Sequence, residues 1–151
     1  MREILFRGQT RRYGEQVKMN GDKVPSNWVY GGVCQGKGDF SIIYGSMDME
    51  LEQPTEKRVV YTNTIGQYTG LTDKNGTKIF EGDIVKIKDY SKGCALNYEQ
   101  PTSNWVVKWD EKYARFSIDY MSLLPYKHFG ESEVIGNIHD NPELLGGKDN
   151  E

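Results

Sequence analysis

Side chains that commonly carry chemistry are few in these 151 residues. There are two cysteines, Cys34 and Cys94, and no CxxC pair. Thiols so far apart make neither a disulfide framework nor a zinc site, and spacing alone cannot say whether they meet. The two histidines, His128 and His139, have no partner at metal-ligand spacing, which narrows the room for ordinary acid–base catalysis. No apolar run reaches the length of a membrane span or an export signal, so a soluble, cytoplasmic chain with reduced thiols is expected. Alanine is scarce, and no stretch keeps a helical period. Charge of one sign is also missing: the formal net charge of -3 gives no electrostatic reason to expect nucleic acid as the main partner.

Glycine and tyrosine are plentiful, at 17 and 10 residues, and the apolar residues fall in short alternating groups. That composition favours strands. Strands are expected at Ile4–Arg7, at Trp28–Tyr30 before a break at Gly31-Gly32, at Phe40–Tyr44, at Met49–Leu51 and at Arg58–Tyr61. The phrase Asp73-Lys74-Asn75-Gly76 reads as a hairpin turn, because an Asn-Gly pair takes positive φ at low cost. Glu81-Gly82-Asp83 reads as a second tight turn before a strand at Ile84–Lys88. Residues 89–103 read as the longest loop. Trp105, Val107 and Trp109 share one strand face and Phe116, Ile118 and Tyr120 another, joined through Asp110-Glu111-Lys112. A last strand is expected at Val134–Ile138. Asn141-Pro142 then starts a helical turn that docks Leu144 and Leu145.

The fold class that follows is mainly β. A small N-terminal sheet (1–52) is followed by a C-terminal SH3-like or twisted barrel (65–145), one short terminal helical turn and a tail (146–151). The pattern breaks near 53–64, which reads as a seam inside one domain.

Several constellations invite a catalytic or binding reading and have a plainer one. Asp73 to Glu81 resembles part of a calcium loop, but its glycine falls out of register. Asp48, Glu50 and Glu52 line one face of a strand, as charges protecting a sheet edge do. Gly36-Lys37-Gly38 has no P-loop pattern and no helix behind it. His139-Asp140 sits on a turn. Trp105, Trp109, Phe116 and Tyr120 could stack bases, and they are also what a small β core needs. No catalytic, cofactor or metal residue is assigned.

Arg2-Glu3-Ile4 with Phe6-Arg7, Trp28-Val29-Tyr30-Gly31, Gly66-Gln67-Tyr68-Thr69-Gly70-Leu71 running to Gly82-Asp83-Ile84-Val85, Val106 to Asp110, and Val134-Ile135-Gly136-Asn137-Ile138 with Asn141-Pro142-Glu143-Leu144-Leu145 occur in that order. Together they resemble the YopX family of bacteriophage and prophage proteins. The resemblance implies a mainly β fold and a phage or prophage origin. It implies no activity, cofactor or catalytic residue.

The function expected is therefore non-enzymatic: contact with a host or phage protein, or self-association, in the bacterial cytoplasm. The alternative is nucleic-acid binding through the basic N-terminal segment and exposed aromatics. Arg7, Arg11 and Arg12 are candidates to meet an acidic partner. Tyr90, Tyr98 and Trp105, in or beside the long loop, are candidate anchors for a protein contact.

Overall fold

A computed structural model describes residues 3–10, 28–45, 47–48, 53–54, 56–88, 102–118 and 126–145. Its elements are strands and 3-10 turns, and the chain divides into two compact units, Met1–Gln67 and Tyr68–Glu151. The boundary falls beyond the 53–64 stretch, inside a strand.

In the first unit, strands β1 (Phe6–Gln9), β2 (Trp28–Cys34), β3 (Phe40–Tyr44) and β6 (Lys57–Tyr61) form an antiparallel sheet in the order β6-β3-β2-β1. Two short strands, β4 (Met47–Asp48) and β5 (Gln53–Pro54), pair with each other. The sheet wraps far enough for Thr10, just past β1, to bridge Val60 of β6. Its inner face holds Ile43, Val60, Ser41 and Gly8, all buried. Small residues are needed there: a Cβ at Gly8 would touch Val60 and Ile43 at 3.0–3.2 Å.

The break expected at Gly31-Gly32 is not found, because β2 runs through both glycines. It changes partner there, from β1 up to Gly31 to β3 from Gly32. The Tyr44 carbonyl occupies the place a Gly31 side chain would take. Gly31 thus serves close approach of two backbones, not a turn.

Strand β7 (Gly66–Thr72) starts beside β1 in the first unit, through Phe6↔Gln67 and Arg7↔Gly66. It continues into the second unit and pairs there with β8 (Lys78–Phe80). A bulge between Tyr68 and Thr72 contains Gly70 at φ 87°, and the Thr69 hydroxyl holds it by donating to the Ile79 carbonyl at 2.9 Å.

The hairpin expected at 73–76 is present with different turn geometry. Gly76 alone takes positive φ, and the Asp73 carbonyl accepts its N–H at 3.0 Å. This is a three-residue loop ending on a left-handed glycine.

The second unit also holds a four-stranded antiparallel sheet, ordered β11-β10-β9-β12: β9 (Asp83–Lys88), β10 (Thr102–Asp110), β11 (Arg115–Ile118) and β12 (Glu133–Asn137). Ile79, Val85, Ile87, Val107, Ile118 and Phe129 form its core, with Leu71, Trp105, Phe116 and Val134 packed around them. The expected barrel is corrected here. Among the described residues the sheet is open, with β11 and β12 as edges, because no described strand joins them. The Gly82 turn is as expected, at φ 81°, and ties three elements by donating to the Val107 carbonyl and accepting from the Ile138 N–H. The terminal helical turn is a 3-10 turn at Pro142–Leu145. Leu144 docks against Gly136, while Leu145 stays exposed. No helix among the described residues is long and apolar enough to cross a membrane.

Candidate contact surfaces

Register fixes which side chains leave the core of the first unit. Ile42 stands opposite Val59 and Cys34, Phe40 opposite Tyr61, and Tyr44 opposite Lys57 and Gly32. Cross-strand partners project from one face, so these residues and Tyr30 share the face turned away from Ile43 and Val60. Tyr30 is 51% exposed and Tyr61 40%, while Phe40, Ile42 and Tyr44 are half-buried. The Phe40 and Tyr61 rings lie 5.4 Å apart. An outer sheet face is ordinarily polar; here the larger and more aromatic set faces out.

The end of the β10–β11 hairpin is a second surface. Val107 and Ile118 face each other in the core, and the next rung on the same face is Trp109 with Phe116. These two rings meet edge to face at 5.0 Å, and Trp109 remains 44% exposed. At the tip, the Asp110 carboxylate accepts the N–H groups of Lys112 at 3.0 Å and Tyr113 at 3.3 Å, which folds the turn. Tyr113 is 53% exposed, with the Lys112 ammonium and the Arg115 guanidinium about 5 Å from its ring centre. Ala114 takes φ 49°, a left-handed conformation that a residue with a Cβ adopts at a cost of roughly 1–2 kcal/mol.

Polar side chains elsewhere are spent on the backbone. Burial opposes the charge on Asp73, yet N–H donors from Val134 at 3.0 Å, Thr77 at 2.9 Å and Asn75 at 2.8 Å outweigh it and hold its carboxyl below the usual range. The turn reading of that loop therefore stands over the calcium reading. Asp83 accepts the Phe80 N–H at 2.7 Å. Asn137 accepts from His139 and Asp140 and donates to the Asp140 carboxylate. Ser41 and Thr62 share a hydroxyl contact at 2.9 Å behind the β2–β3 loop, and the Gly36 N–H donates to Ser41. Among the described residues no cluster of His, Cys, Asp and Glu could hold a metal ion.

A model of the YopX protein family matches residues 22–146. The chain belongs to the YopX family. Among solved structures it is similar to protein EF1440 from Enterococcus faecalis, at 31% identity over 71% of this chain and 75% of that one, with a TM-score of 0.39. No curated protein matches.

The YopX match takes in both surfaces, from β2 through the terminal turn. Of the residues singled out by sequence, Arg7 is 7% exposed and lies over the Trp28 ring at 4.6 Å. So placed, it offers little surface to an acidic partner. Trp105 is half-buried and packs on the core of the second unit. Arg11, Arg12, Tyr90 and Tyr98 lie outside the described residues, as do Glu50 and Glu52. The side chains of Asp48 and His128 do too. Sequence reasoning passed over Tyr30, Tyr44, Tyr61 and Tyr113. Alternation in Phe40–Tyr44 shows two faces, but only the register with β2 and β6 tells which one is buried.

Proposed function

We propose that this YopX-family protein is a non-enzymatic accessory protein of phage or prophage origin that works in the host cytoplasm through protein–protein contact. The β10–β11 tip is its anchor, and self-association through the same tip is one form of that contact. The supporting observation is Trp109, held edge to face by Phe116 and left half in solvent. A large ring fixed before binding loses little side-chain freedom on contact, which is why such residues dominate interface energetics. The strained Ala114 beside Tyr113 supports the same reading, since backbone strain collects where a loop serves a purpose beyond folding.

The test is affinity capture of tagged protein from lysogenic or infected cells, run beside a Trp109→Ala/Tyr113→Ala variant of unchanged circular dichroism. A stoichiometric partner, or a dimer in light scattering, is expected with the parent and should fall at least about tenfold with the variant. Equal recovery from both, or a monomer that retrieves nothing, overturns the proposal.

A further inference from the structure

We propose that the outer face of the β2-β3-β6 sheet is a binding site for single-stranded nucleic acid. Three tyrosines and a phenylalanine, Tyr30, Tyr44, Tyr61 and Phe40, project from one small antiparallel face. Tyr30 and Tyr61 are the most open of them. Aromatic rings on an exposed sheet are the platform on which unpaired bases stack, and each has a π-face that any base fits.

Charge selects the occupant. The chain is acidic overall, with 22 Asp and Glu against 19 Lys and Arg. Yet the exposed charge in the described strands of this face is a cation, Lys57 opposite Tyr44; Arg7 opposite Tyr30 is buried over Trp28. Exposed Lys37 lies in the β2–β3 loop. The nearby carboxylates lie off the strands: Asp39 is in the same loop, and Glu56, just before β6, is held by Arg58. Rings to stack on, Lys57 within the face and Lys37 at its end suit a phosphate-linked chain of bases better than a duplex, whose bases are already stacked.

The experiment is fluorescence anisotropy of a labelled oligothymidylate of about ten nucleotides, titrated with the full chain at about 50 mM salt and above. Binding should weaken as salt rises. Tyr30→Ala and Tyr61→Ala should each weaken it roughly tenfold, and the Phe variants at the same positions should restore it. Lys57→Gln should reduce the salt slope by about 0.7. Labelled polyglutamate and a duplex of equal length are the controls. The proposal is overturned if either control binds as tightly as the oligothymidylate. It is also overturned if the tyrosine variants leave binding unchanged, if nothing binds at low salt, or if the face instead retains a protein that Tyr30→Ala/Tyr61→Ala releases. None of these results bears on Trp109 and Tyr113, so this proposal and the protein contact stand or fall separately.

Discussion

Asp73 accepts three backbone N–H groups. One carboxylate oxygen closes its own loop through Asn75 and Thr77, and the other reaches across to Val134 at the start of β12. Its pKa in the folded protein lies below the ordinary 3.8. A depressed carboxyl contributes stability above its unfolded pKa and loses it as pH falls through the folded value. Urea midpoints measured between about pH 5 and about pH 2.5 should therefore drop for the parent. They should drop less for Asp73→Asn, which has no charge to lose. At neutral pH that variant should be about 1–3 kcal/mol less stable, because its amide turns a donor toward a donor. A variant as stable as the parent at neutral pH would show that the three N–H groups find other acceptors. The neighbouring Lys74–Glu133 pair, at 2.6 Å, is about half exposed and adds less than about 1 kcal/mol.

Strand β2 shows how little of an element a glycine pair reveals by itself. Gly31 and Gly32 are adjacent and identical in sequence, yet one faces a backbone carbonyl and the other open space. Gly31→Ala should cost about 1–3 kcal/mol or more, since the obstacle is the Tyr44 main chain and cannot rotate aside. Gly32→Ala should be neutral or slightly stabilising, because alanine loses less freedom on folding. Thermal melts of the two variants decide this, and similar losses would mean that the Tyr44 carbonyl does not crowd Gly31. Turns such as Gly76 and Asp110 were legible because each rests on contacts within a few residues. The open faces were not, since exposure depends on register between strands distant in sequence. Trp109 alternates in phase with Trp105 and Val107, and only the length of the hairpin past the core puts it in solvent.

At the scale of the molecule, a mainly β chain was readable from composition and spacing, whereas barrel closure was not. Closure depends on whether edge strands meet, and no local signal encodes that. Among their described residues, the two units differ in how many apolar side chains they bury. Ile43 and Val60 are the described buried apolar residues of the first, against the Ile79, Val85, Ile87, Val107, Ile118 and Phe129 cluster of the second. Burying one such side chain is worth about 1.5–3 kcal/mol, so the first unit should open at a lower free energy. Native-state hydrogen exchange should find amides of β2 and β3 less protected than those of β9 and β10. Equal protection throughout would mean a single cooperative transition.

Strand β7 begins in one unit and ends in the other. Shuffling halves between family members at residue 67 would thus splice the chain mid-strand, between two ladders. The partners of β1, Gly66 and Gln67, would stay with one half and the partners of β8, Tyr68 and Thr72, with the other, so each half would keep its own ladder whole.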